Sequence, residues 1–128
     1  MGIDEASEQV VREFCDALTK HDIEAVRGFF TNDVVYHNIP MDPAVGIEDA
    51  MTFLEGFFGM FESTVIEIVH LAATGNIVLT ERVDTLSLAG AVGPLPVMGT
   101  FELRDGKICA WRDYFDMGQI TAMLTPEG

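Results

Sequence analysis

Arg82 and Asp84 lie two apart in one run of β-forming residues, and Asp113 lies in another. Side chains two apart on a strand share a face. From Val78, one face of the first run reads Val78, Thr80, Arg82, Asp84, Leu86 and Leu88, and the other Leu79, Glu81, Val83, Thr85 and Ser87. The more apolar face thus carries a cation and a carboxylate at its centre. In the later run Cys109, Trp111, Asp113 and Phe115 share a face, opposite Ile108, Ala110, Arg112, Tyr114 and Asp116. A short earlier run turns Val34, Tyr36 and Asn38 together, away from His37. An Arg-x-Asp pair on a strand is ordinarily solvated, and a lone Asp near a strand end is ordinarily surface. Two acids, an Arg, a Tyr and an Asn all on inward faces are harder to explain as surface. A buried carboxylate without a partner costs several kcal/mol, so Arg82 must lie between the acids to make their burial tolerable.

Such a group can move protons inside an apolar hole. One carboxylate, ionised, can take a proton from water, while the other, kept protonated by burial, can give one to a leaving oxygen. An arginine bridging both lets the protons be restored after turnover. Tyr and Asn can hold the water, which supplies proximity rather than proton transfer. A strained cyclic ether suits this machinery, because its opening needs one proton and one hydroxide equivalent.

The elements that position these residues follow from periodicity. Asp4 is a plausible N-cap for a first helix whose apolar face is Val10, Val11, Phe14, Cys15 and Leu18. Asp22 can cap a second, with Ile23, Val26, Phe29 and Phe30 on its apolar face. After the short strand 34–37, Pro40 and Pro43 impose an irregular loop. A third helix over about 48–60 presents Met51, Leu54, Phe57, Phe58 and Phe61, and its Gly56 and Gly59 suggest close packing. Then come β runs over 64–73, 77–88, 95–103 and 108–115, with Gly75-Asn76 and Asp105-Gly106 as turn signals. A loop over 89–96 joins the second and third, and a closing helix over 117–124 supplies Ile120, Met123 and Leu124. Helices first and a meander afterwards predict an α+β fold, a curved sheet covered on one face by helices. Three-residue loops at both turn signals keep one sheet face apolar. They place Leu103 opposite Lys107, Phe101 opposite Cys109, Val97 opposite Asp113 and Leu95 opposite Phe115, with Ile66 and Ile68 beside Asp84 and Arg82.

Composition narrows the function from the other side. At 128 residues and 48% hydrophobic content the chain reads as one domain, 1–128, with enough core to enclose a pocket. Seven Lys+Arg against 21 Asp+Glu give a net charge of −14, which argues against nucleic acid and anionic membranes as partners. Cys15 and Cys109 read as reduced core thiols, and no Cys/His spacing suits a metal. The N-terminal residues carry no targeting signal and no apolar run reaches spanning length, so the expected location is the cytoplasm. His21 reads as solvated between helices, His70 as structural, and Phe57, Phe58 and Phe61 as core. Dinucleotide, nucleoside triphosphate, zinc-protease and serine-hydrolase motifs do not occur, leaving a cofactor-free site of side chains.

Together, Tyr36-x-Asn38-x-Pro40, Glu81-Arg82-Val83-Asp84 and Trp111-Arg112-Asp113-Tyr114-Phe115-Asp116 resemble the limonene-1,2-epoxide hydrolase family in order and approximate spacing. The resemblance implies a cone-shaped NTF2-like (SnoaL-like) fold, a curved mixed sheet and N-terminal helices around a deep pocket, and a homodimer. It implies one-step hydrolysis of a small apolar, alicyclic epoxide to a diol with no cofactor and no covalent intermediate. By motif position Asp113 would be the general base on water, with Tyr36 and Asn38 the water's other anchors. Asp84 would be the general acid and Arg82 the bridge. Ile66, Leu86, Leu95, Val97 and Phe115 would line the pocket. A ketosteroid-isomerase or polyketide-cyclase relative would need only one acid plus an oxyanion hole, for which no extra donor pair is evident. A non-catalytic NTF2-like binding module would need neither acid.

Overall fold

The computed structural model describes residues 2–124. Helix α1 (Ile3–Thr19) buries Val11, Phe14, Cys15 and Leu18, the face its periodicity predicts. Its cap differs: Gly2 holds that position with no side-chain hydrogen bond. Asp4 instead sits in the first turn and accepts from the Gly75 N–H at 2.6 Å, while Ser7 Oγ donates to the Gly75 carbonyl at 2.8 Å. A carboxylate there still favours the positive end of the helix dipole, and it also pins α1 to a sheet turn. Helix α2 (Ile23–Gly28) is capped by Asp22, which accepts from Ala25 N–H at 3.2 Å.

The chain enters strand β1 (Phe30–Asn38) earlier than expected. A two-residue strand β2 (Ala44–Val45) and Gly46, at φ 89°, lead into α3 (Ile47–Met60). Strands β3 (Ser63–Thr74), β4 (Ile77–Leu88), β5 (Ala91–Arg104) and β6 (Lys107–Tyr114) form the meander, and α4 (Met117–Leu124) closes it. The six-stranded sheet has the order β2-β1-β6-β5-β4-β3, with β1 and β6 parallel and the other pairs antiparallel. Helix α1 packs on β3 and β4, and α3 on β1 and β2, so the helices cover one face.

Both hairpins that were expected to have three-residue loops have two-residue turns. Gly75 (φ 60°) and Asn76 make one; Asp105 (φ 53°) and Gly106 (φ 78°) make the other. A bulge within each ladder restores the inward phase beyond it, in β3–β4 with the register that a third loop residue would have given and in β5–β6 with a different one. In β3 the bulge lies between Ile68 and His70, so Ile66 still pairs with Asp84 and Ile68 with Arg82. It also turns His70 outward, exposed and in contact with Glu81 at 2.7 Å. In the β5–β6 ladder the irregularity corrects the expected pairs: Leu103 faces Ile108, Phe101 faces Trp111 and Gly99, not Val97, faces Asp113. Cys109 falls in this irregularity, half-buried with its thiol 3.4 Å from the Glu102 carbonyl, and Ile108 takes the core place.

The expected loop 89–96 is mostly strand. Ala89 (φ 52°) and Gly90 (φ 82°) make a tight turn, and Pro94 and Pro96 pair with Thr85 and Val83 of β4. Proline lacks the ladder N–H, but the β6 ladder reaches only to Met98, so this half of β5 is an edge on that side. Two smaller expectations also change. His21 is only partly solvated: its ring stacks on Phe58 at 4.4 Å and its Nε2 is buried with no hydrogen-bond partner among the described residues. Gly56 and Gly59 have no atom within 4 Å of where a Cβ would stand, so close packing does not require them.

The core centres on Phe14, whose ring meets those of Phe29, Phe30, Phe101 and Trp111 at 5.0–6.0 Å. Phe14→Ala should therefore destabilise by about 3–5 kcal/mol. Urea unfolding should show this as a lower midpoint with an unchanged slope.

Candidate active site

Arg82 projects from the middle of β4 and is 1% exposed. Its guanidinium offers five N–H groups, and each has an acceptor. Nε donates to Asp84 Oδ1 at 3.2 Å and Nη2 to Asp84 Oδ2 at 2.9 Å. Nη2 also donates to Asp113 Oδ2 at 2.9 Å, and Nη1 to Asp113 Oδ1 at 3.1 Å and Thr80 Oγ1 at 3.2 Å. The Thr80 hydroxyl in turn donates to the Gly99 carbonyl at 3.2 Å. The arginine thus grips two carboxylates, one on its own strand and one two strands away.

Tyr36 and Asn38 come from the inward face of β1, where Asn38 pairs with Asp113 across the parallel ladder. The Tyr36 hydroxyl donates to Asn38 Oδ1 at 3.2 Å. All five candidate residues therefore gather at one place. Trp111 joins them: its Nε1–H donates to Asp113 Oδ1 at 2.7 Å, and its ring stacks on Tyr36 at 4.0 Å and 12°. Sequence reasoning missed this, although the signal was present. A buried indole N–H needs an acceptor, and the polar residue two along on the same face is Asp113.

These groups open into a cavity of about 430 Å³. Ile66, Leu86, Leu95, Val97 and Phe115 all line it, as expected. Another wall is a stripe of Phe53 and Phe57 from α3 and Phe61 just beyond its end, with Phe58 beside it. These aromatics are therefore cavity wall rather than plain core. Met117, Ile120 and Leu124 of α4 complete it. Among the described lining residues, Thr64 adds one more buried polar atom to those of Tyr36, Asn38, Trp111 and the two acids, and its Oγ1 has no hydrogen-bond partner. None of the chain's seven lysines and arginines lines it.

Burial and charge set the protonation states. Burial pushes the Asp84 carboxyl above its ordinary value, more than the Arg82 charge and hydrogen bonds pull it down; the neighbouring Asp113 adds to the rise. Burial works to depress Arg82, but Coulombic attraction to Asp113 and Asp84 outweighs it and holds the guanidinium well above its ordinary value. Burial also raises the Tyr36 phenol, keeping it a hydrogen-bond donor at neutral pH, and pushes the Cys15 thiol up to about 12, which leaves it inert.

A curved mixed sheet with its helices on one face, closed around an apolar cavity, is the NTF2-like arrangement. The chain belongs to the limonene-1,2-epoxide hydrolase family: the profile described as the limonene-1,2-epoxide hydrolase catalytic domain matches residues 5–125. The epoxide hydrolase EphG of Mycobacterium tuberculosis is 37% identical over 113 residues, covering 84% of this chain and 71% of that protein. The structure of an M. tuberculosis epoxide hydrolase similar to this family superposes with a TM-score of 0.84 at 31% identity, over 94% of this chain and 90% of that one. A Xanthomonas campestris protein provisionally described as a polyketide cyclase has a TM-score of 0.88 at 18% identity, over 97% and 100%, which shows the shared fold alone.

The raised Asp84 carboxyl has a consequence for stability. A group that binds protons more tightly folded than unfolded favours the fold at low pH, and that contribution fades as pH rises through the window above its unfolded value. Asp84→Asn removes the ionisable group. The melting temperature of Asp84→Asn should gain on the wild type as pH rises from about 4 towards neutrality, read from thermal melts across that range.

Proposed function

We propose that the protein hydrolyses small, neutral epoxides to vicinal diols in one step, using Asp113 as general base, Asp84 as general acid and Arg82 as their bridge. The observation that carries this reading is the buried arginine holding two acids that both face an apolar cavity, in a chain of this family. Hydrogen-bond accounting supports the part given to Asp113. A carboxylate has about four acceptor sites. Asp113 Oδ1 takes Arg82 Nη1 and Trp111 Nε1, while Oδ2 takes only Arg82 Nη2, leaving Oδ2 one site for a water proton. Tyr36 spends its proton on Asn38, so its oxygen can accept the water's second hydrogen, and the Asn38 amide N–H can donate to the water. Both hydrogens of the water are then held and one lone pair is left for attack on an epoxide carbon.

As the C–O bond forms, the water proton passes to Asp113, and the breaking C–O bond leaves an alkoxide that takes the Asp84 proton. The diol leaves with Asp113 protonated and Asp84 ionised. Total charge is unchanged, so Arg82 holds both states alike, and a proton returns through water. The substrate class follows from the wall. A cavity of about 430 Å³ holds roughly fourteen water-sized atoms at about 30 Å³ each, which suits an alicyclic epoxide of about ten carbons with its water. With no cation along it, an anionic substrate would be buried unpaired. A ketosteroid-isomerase or cyclase role leaves the second acid and the bridging Arg82 without a task. A homodimer fits the outer sheet face, where Val65, Leu79, Met98 and Tyr114 are exposed.

The first test is incubation with an alicyclic epoxide and analysis for diol; a purified, folded protein that yields none would refute the activity. Asp113→Asn should stay folded and lose about 10²-fold or more of the rate, because an amide cannot accept the water's proton. The oxygen source separates direct from covalent attack. With excess enzyme in ¹⁸O water, the first turnover should already place label in the diol. Unlabelled diol, with label on a carboxylate afterwards, would mean that an ester had formed first.

A further inference from the structure

Arg82 stands on β4 and Asp113 on β6, with β5 between them. Neighbouring strands are about 4.8 Å apart, so the bridge crosses about 10 Å of sheet. At that level β5 presents Gly99, which pairs with Thr80 on one side and Asp113 on the other. The inward residues before and after it are Leu95, Val97, Phe101 and Leu103, all buried apolar side chains. Glycine weakens a strand interior, and Gly99 is not among the residues of positive φ, so backbone conformation does not call for it. Space does. A Cβ built on Gly99 would stand 2.6 Å from Asp113 Oδ1 and 3.0 Å from Thr80 Oγ1, and closer still to Arg82 Nη1. The carbonyl of the same residue accepts from Thr80 Oγ1, which in turn accepts from Arg82 Nη1.

We propose that Gly99 is a positioning residue for the reaction: its missing side chain is the notch that seats the Arg82–Asp113 bridge, and its carbonyl, through Thr80, fixes the guanidinium in that notch. The inference rests on the acid–base roles given to Asp113 and Asp84. It also makes a claim about side-chain placement that can be read without turnover. Trp111 is the chain's one tryptophan, and its N–H is bonded to the same Asp113 Oδ1 that a Gly99 methyl would displace. Its fluorescence therefore reports the notch.

The experiment compares wild type, Gly99→Ala and Gly93→Ala by melting, by Trp111 emission and by kcat and KM with an alicyclic epoxide. Gly93→Ala is the control for a methyl on β5, because the three atoms nearest its built Cβ all belong to the flexible Met123 side chain. Gly99→Ala should shift the Trp111 emission and lower kcat by about 10²-fold, with KM within about threefold because the apolar lining residues are untouched. Gly93→Ala should leave the emission unchanged. Should Gly99→Ala not fold, Thr80→Ala carries the same test without added bulk: it withdraws the hydroxyl under Nη1, and emission and kcat should change while KM does not. A folded Gly99→Ala with wild-type emission and kcat overturns the proposal, as does a loss confined to KM. Absence of diol from the wild type would overturn the epoxide reading instead, while the emission comparison would still decide the notch.

Discussion

Everything near the site depends on one buried cation with no donor left over. A guanidinium at 1% exposure is tolerable only if its charge and all five N–H groups are met. Asp84, Asp113 and Thr80 meet them. That requirement fixes the register of β4, β5 and β6, since sliding either ladder by one residue would send an acid to the outer face and strand the arginine. The bulges belong to the same constraint. The turns at Gly75-Asn76 and Asp105-Gly106 favour tight hairpins, and the ladder irregularities then return the strands to the phase the arginine needs.

The arrangement is costly for a core and useful for a reaction. Hydrophobic residues of similar volume would hold the three strands together at least as well as a buried acid–arginine–acid cluster. The raised Asp84 carboxyl makes that cost visible, because burial there outweighs the attraction of Arg82. A carboxylic acid kept protonated above its ordinary range is what a general acid needs. The same desolvation that weakens the fold would, in the proposed reaction, supply the acid, a trade commonly found at functional sites.

Much of this was legible in the sequence, and the failures have identifiable physics. Period-two alternation placed Arg82, Asp84, Leu86, Tyr36 and Asn38 inward, because a half-buried strand leaves no freedom about which face an alternate residue joins. Turn length was not legible, since beyond the bulge a bulge and a longer loop give the same inward set; Ile66 and Ile68 meet Asp84 and Arg82 either way. In the β5–β6 ladder the two solutions differ by the residue opposite Asp113, and choosing the longer loop hid Gly99. Pro94 and Pro96 read as loop because sequence does not reveal where a neighbouring strand stops. The aromatic stripe of α3 read as core because a cavity wall and a packed core show the same helical periodicity.

Core and site are also mechanically continuous. Phe101 stacks on Trp111 at 5.5 Å, Trp111 on Tyr36 at 4.0 Å, and Phe14 meets the Trp111 ring edge-on at 5.0 Å. One end of this column lies in the hydrophobic centre of the fold and the other carries the hydroxyl that orients Asn38. Midway, the indole N–H fixes Asp113. Aromatic rings have few rotamers and bury large areas, so a stack of them transmits position with little slack. Tyr36, Asn38 and Asp113, the groups proposed to grip the water, are therefore held on the sheet by packing. This is the condition under which oriented hydrogen bonds can lower a barrier instead of merely following the substrate.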